Sequence, residues 1–196
     1  MLTLFRPALS MLAVMTILTG FAYPLAVTGL AQLLFPEEAN GSLFERDGVV
    51  IGSRLVAQDF RGNAYFHPRP SAVGYDGAGS GGSNLAPTSK ALIERVRADA
   101  ERLSDDAGGA AVPVDLVTSS GSGLDPDISP AAAQFQVERV ARTRGLAASD
   151  VRSLVRNAVE GPLLGIFGEP RVNVLELNLA LDDLTAGPPT ETGHVR

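Results

Sequence analysis

Charged residues vanish from a long stretch near the start of the chain. Arg6 is followed by none until Glu37, and the run between them, PALSMLAVMTILTGFAYPLAVTGLAQLLFP, is mostly apolar. It predicts one continuous helix over residues 7–35. Crossing a hydrocarbon core of about 30 Å takes about 20 such residues, so the run has length to spare. A helix also satisfies its own backbone hydrogen bonds, as the bilayer requires. A cleaved leader has an apolar region of only about 7–15 residues before a small-residue site. Here the small residues around Ala22 to Ala26 sit inside the run, with Pro24 among them. A retained anchor is therefore expected ahead of a leader or a buried core helix. Pro24 has no amide hydrogen and predicts a kink. Gly20 and Gly29 would let another membrane helix approach closely, although glycine and proline are commoner in spanning helices in any case.

Beyond Pro36, which ends the span, the pattern shortens. Asn40-Gly41 is a turn signal, and Gly48 to Gly52 reads as a short strand. Residues 60–88 are rich in Gly, Ser, Pro and Asn, a loop long enough to suggest function. Lys90 to Leu103 is an amphipathic helix, with Leu92, Val96, Ala100 and Leu103 on one face. Residues 104–111 read as a linker, 112–117 as an alternating strand and 119–129 as a second Gly/Ser/Asp loop. Ser129-Pro130 starts a helix that runs to Arg144 and stops at Gly145. Ser149 is expected to cap a helix over 150–160, ended by Gly161-Pro162. Residues 171–178 alternate like a strand, while 175–184 fit a short helix equally well. From Thr185 the chain is rich in Pro, Gly and Thr, and disorder is expected. The predicted organisation is an N-terminus of residues 1–6, a transmembrane helix over 7–35, a soluble domain over 36–184 and a tail over 185–196. Strands and helices interleave without an internal repeat, so the domain is α/β (α+β) with a small sheet.

Charge narrows the partners. The net charge is −6 and Lys90 is the only lysine, which argues against a nucleic-acid partner. The chain contains no cysteine, which excludes disulfides and Cys-based zinc sites. Arg6 favours a cytoplasmic N-terminus and so an extracytoplasmic domain, periplasmic in a Gram-negative cell.

Chemistry is sparse. No Walker, Rossmann or nucleophile-elbow spacing occurs. Gly79 to Asn84 could present amides to an anion, or be simply a tight loop. His67 could serve Ser80 or Ser83 as a base, but a lone loop histidine is more often a hydrogen-bonding residue; His194 lies in the tail. Asp125-Pro126-Asp127 lacks the EF-hand pattern and better suits a turn ahead of Ser129. The expectation is no catalytic residue and no metal. An independent anchored envelope enzyme or ligand-binding domain is the alternative of a different class.

Longer strings carry a resemblance. Arg6 to Leu9 and Thr19 to Pro24 lie in and before the span, followed by Phe35-Pro36, Ala39 to Leu43 and Gly52-Ser53. Tyr65-Phe66-His67 with Arg69 to Ala72, Ser80 to Leu85, Val112 to Thr118 and Ser122 to Asp125 come next. Ile128 to Ala132 and Val172 to Asp182 complete the series. Collinear over nearly the whole chain, they resemble the KdpC subunit family of bacterial Kdp potassium-transporting P-type ATPases. Ala86 stands where the family's Ser-Gly-Gly-Ser-Asn-Leu motif continues with glycine, and the tail after Asp183 matches no family pattern.

The resemblance implies an accessory, non-catalytic subunit of a high-affinity ATP-driven potassium uptake pump in the inner membrane. Its partners would be a channel-like potassium-translocating subunit, the P-type ATPase subunit and a small single-span subunit. It implies a catalytic-chaperone role that raises the ATPase subunit's affinity for ATP. Ser80, Gly81, Gly82, Ser83 and Asn84, which look like an ABC-type signature, and Gln136 would then be the nucleotide-site candidates. Gly20, Tyr23, Pro24 and Gly29 become candidates for docking in the membrane. The compartment opposes ATP contact, because an extracytoplasmic domain does not meet cytosolic ATP. The competing expectation is a lid or docking surface over the potassium-translocating subunit, formed by the Gly/Ser loops and residues 65–71.

Overall fold

The computed structural model describes residues 2–46 and 48–186, so most of the expected tail lies outside the described residues. It divides into two compact units, Met1–Ile51 and Gly52–Arg196.

In the first unit, helix α1 (Leu2–Ile17) passes through a π-helical turn, Leu18–Ala22, into helix α2 (Tyr23–Leu34). The stretch Thr3–Leu34 is long and apolar enough to cross a membrane, and none of it is buried. Pro24 sits in the first turn of α2. Proline offers no amide and its ring crowds the carbonyl four residues back. The ladder answers by slipping one residue, and the Tyr23 amide donates to the Leu18 carbonyl. The distortion expected at Pro24 is thus a widened turn just before it. Phe35 leaves the helix (φ −139°, ψ 60°), and a single turn, α3 (Pro36–Ala39), follows. At the next turn Gly41 (φ 90°) and Ser42 (φ 48°) take the left-handed conformation, not Asn40. Strands β1 (Leu43–Arg46) and β2 (Val49–Ser53) then pair; β1 was not predicted.

The second unit is α+β. Its core joins three helices, α5 (Pro130–Arg144), α6 (Ala148–Asn157) and α7 (Val174–Ala186), to a small antiparallel sheet. The sheet order is β3 (Asp127–Ile128), β5 (Arg171–Asn173), β4 (Val159–Glu160), with Ile128 and Val159 both opposite Val172. Val137, Val140, Val151, Val155, Val172, Leu177 and Leu181 are fully enclosed, and so is Phe66 from the long loop. The α5 caps form as expected: Ser129 Oγ accepts from the Ala132 amide, and Gly145 closes the helix at φ 68°. Helix α4 (Lys90–Asp106) outruns its expected end and takes in part of the expected linker.

Several expectations fail in whole or in part. Residues 112–117 form no strand. A 3-10 turn, Val114–Leu116, stands there instead, because Pro113 starts it and the Asp115 carboxylate turns to accept from the Ser129 amide at 2.8 Å. Helix α6 begins at Ala148, behind Ala147, with Ser149 inside it rather than at its cap, and it ends at Asn157, so that Val159–Glu160, expected within it, form β4. Of the two readings for the next stretch, the strand over 171–178 ends at Asn173, whose side-chain oxygen accepts from the Glu176 amide at 3.1 Å, and the helix that fitted 175–184 forms as α7. That helix extends through Thr185 and Ala186, the first two residues of the expected tail.

Candidate functional site

The long loop from Arg54 to Ser89 has no regular structure, yet its middle is tightly held. From Asn63 to His67, five consecutive carbonyls accept hydrogen bonds from side chains of α5 and α7. Arg139 donates to Asn63 O at 2.6 Å and Tyr65 O at 3.0 Å. Arg144 donates to Ala64 O at 2.7 Å, and its guanidinium also lies 4.6 Å from the Tyr65 ring centre. Asn178 and Gln136 grip Phe66 and His67 in the manner of a neighbouring strand. Asn178 accepts from Phe66 N at 2.8 Å and donates to Phe66 O at 2.9 Å. Gln136 accepts from His67 N at 2.8 Å and donates to His67 O at 3.1 Å. Buried backbone groups need partners, and here side chains replace a missing strand.

Gln136 is only 3% exposed, and its oxygen also takes a 2.7 Å hydrogen bond from Arg139. Burial pulls the Arg139 guanidinium down to about 10, so it stays charged at neutral pH. Burial also lowers the half-buried His67, with the Arg139 charge adding to the effect. The His67 ring lies 3.0 Å from the Gly62 carbonyl through Nε2. Since a carbonyl only accepts, Nε2 carries a hydrogen and donates there.

The Ser80 to Asn84 loop is anchored to the second Gly/Ser loop. The Gly81 amide donates to Ser122 O at 2.8 Å, and Ser80 Oγ donates to the same carbonyl at 3.1 Å. The approach demands glycine on both sides. A Cβ at Gly82 would stand 3.0 Å from Gly121 O, and one at Gly123, where φ is +69°, would stand 2.7 Å from Gly81 O. Ser83 and Asn84 face solvent. The Arg69 to Ser71 string joins the same assembly: Arg69 pairs with Asp125 at 2.9 Å, and Ser71 Oγ donates to Gly123 O at 2.6 Å.

The nucleotide candidates therefore fall into two groups. Gln136 borders clefts of about 400 and 310 Å³; Phe135, Arg139 and Arg142 line the first, and His67, Pro68 and Tyr75 the second. None of Ser80 to Asn84 lines either cleft. Among the described residues no group of three or more His, Asp or Glu is disposed to hold a metal. The residues missed by sequence reasoning are Asn178, Arg139 and Arg144. Asn178 sits within the matched string Val172 to Asp182 as a polar side chain among leucines, a signal of a buried polar role.

Of the membrane candidates, Gly20 lies in the π turn, Tyr23 and Pro24 open α2, and Gly29 lies inside it. A Cβ at Gly20 would meet only Thr16, at 4.0 Å, and one at Gly29 would meet nothing within 4 Å.

A family model described as K+-transporting ATPase, c chain, matches residues 5–183. The chain is 58% identical to the potassium-transporting ATPase KdpC subunit of Methylobacterium nodulans, over 94% of this chain and 98% of that protein. The protein of the same name in Bradyrhizobium diazoefficiens is 56% identical, over 95% and 100% respectively. That of Rhodospirillum rubrum is 57% identical, over 93% and 97%.

Proposed function

Because this chain belongs to the KdpC family of K+-transporting ATPase subunits, we propose that it is a non-catalytic accessory subunit of an ATP-driven potassium uptake pump, working by docking rather than by ATP contact. The anchor holds it in the inner membrane with the N-terminus in the cytoplasm, and Arg6 supports that orientation. The second unit then stands outside the cytoplasm, over the potassium-translocating subunit. Gly20, Tyr23, Pro24 and Gly29 pack against that subunit's helices. The space around both glycines supports this, since no neighbour among the described residues requires their small size.

One observation carries the choice between docking and ATP contact: the Gln136 amide is buried and engaged with the His67 backbone. A nucleotide would have to displace that grip. The Gly81 amide, the natural anion donor of its loop, is likewise engaged by Ser122. Any rise in the ATPase subunit's affinity for ATP is then transmitted through subunit contacts. The competing reading, a catalytic chaperone touching ATP through Gln136 and Ser80 to Asn84, rests on the resemblance of those residues.

The absence of cysteine makes a clean test. Ser83→Cys, exposed on its loop, should react with a membrane-impermeant maleimide in intact spheroplasts. Reaction only after permeabilisation would sink the docking reading and revive direct ATP contact.

A further inference from the structure

Between β4 and β5 the chain runs Gly161-Pro162-Leu163-Leu164-Gly165-Ile166-Phe167-Gly168. It folds back as a tight hairpin. Leu163 and Phe167 exchange hydrogen bonds of 2.8 and 3.0 Å, and the Gly165 amide donates to Pro162 O at 2.9 Å. All four large side chains point outward: Leu163 is 71% exposed, Leu164 82%, Ile166 78% and Phe167 63%. Elsewhere in this unit the large exposed apolar residues occur singly along the chain. Leu164 even adopts φ 54°, a conformation unfavourable for leucine, at the outermost position. A contiguous exposed apolar tip of this kind marks an interaction site.

We propose that this hairpin is a plug that inserts into an apolar recess on another chain of the same ATPase. This rests on the reading of the protein as an accessory subunit. Its base supplies the polar rim typical of protein interfaces around an apolar centre. Glu160 and Arg171 face each other across β4 and β5 and pair at 3.0 Å. Arg54 pairs with Glu160 and, at 2.9 Å, with Glu176; Arg171 also reaches Asp127 at 3.2 Å. A lipid surface is the less suitable occupant. Binding to anionic lipid relies on clustered Lys and Arg, whereas the two arginines here are matched by acids and the whole chain has a single lysine, Lys90. The hairpin's own hydrogen bonds also hold its shape before contact, which lowers the cost of entering a fixed recess.

The test uses the full-length chain coexpressed with the other ATPase chains. A photo-crosslinking side chain at Leu164 or Ile166 should give a covalent adduct with another ATPase chain, and one at Ala98 on α4 should not. The double variant Leu164→Asn/Ile166→Ser should not lower the thermal unfolding temperature of the full-length chain, since both side chains are exposed and Asn tolerates the conformation at 164. It should lower recovery of the other chains at matched detergent and salt by about tenfold. Adducts with lipid alone, no adduct in an intact complex, or undiminished recovery would each overturn the plug. If the wild-type chain recovers no ATPase chain at all, the subunit reading itself falls, and the plug with it.

Discussion

Two irregular segments of the second unit are both well ordered, for opposite reasons. Residues 63–67 have almost no hydrogen bonds of their own and borrow them from Arg139, Arg144, Gln136 and Asn178, with Phe66 sunk in the core. Residues 162–168 bond to themselves and hold their apolar side chains in solvent. The first segment is order imposed by the fold, and the second is order kept independent of it. A loop of the first kind cannot be altered without loosening the core. One of the second kind can be altered freely unless something outside the chain depends on it.

The sharpest way to break that contrast is at Asn178. Asn178→Ala removes both hydrogen bonds to Phe66 and strands two buried backbone groups. We expect a loss of about 3 kcal/mol, read as a fall of about 10 °C in the Tm of the full-length chain. No fall would mean that the borrowed bonds do not hold the segment. At the self-sufficient hairpin the sign should reverse. Leu164→Asn relieves the left-handed strain and should raise stability by up to about 1 kcal/mol by denaturant titration. A clear destabilisation would show that the tip packs against its own domain.

The smallest effect concerns pH. His67 lies below its ordinary value of 6.5 in the folded chain because burial and Arg139 disfavour its charge. The folded state therefore binds fewer protons than the unfolded one. The stability at stake is fully present above pH 6.5 and is lost as pH falls below it, through the lowered folded value. Thermal scans between pH 7.5 and pH 5 should show a shallower decline for His67→Gln than for the parent chain. Equal slopes would place the titration elsewhere.

The contrast also explains what could be read from sequence. The span was legible because thirty consecutive residues between Arg6 and Glu37 carry no charge. Helix α5 was legible because Ser129, Pro130 and Gly145 mark its ends by local chemistry. Strands β3 and β4 are two residues each, too short for any period to register. Residues 112–117 alternate like a strand, but no neighbour offers a ladder, and Asp115 is drawn to the α5 cap. The grip on residues 63–67 joins positions from 69 to 112 residues apart in the case of Gln136 and Asn178. No pattern local to the chain can disclose such pairing. The family resemblance marked those strings as belonging together without saying that their bond is to each other. Gln136, a nucleotide candidate by resemblance alone, holds the His67 backbone.

The π turn at Leu18–Ala22 has a consequence for how the span is addressed by its surroundings. Slipping the ladder by one residue turns everything after it by about 100° relative to an unbroken screw. Counted along a regular helix, Gly20 and Gly29 would stand on opposite sides, about 180° apart; because Gly20 lies inside the slipped turn, part of the slip falls between them and brings them nearer. The two halves of the span are thereby set in different phase, and two bare spots that a uniform rod would face in contrary directions are turned toward each other. Deleting Leu18, ahead of Gly20 in that turn, would restore the uniform screw with the glycines still nine positions apart and return them to opposite sides, with the composition of the span almost untouched.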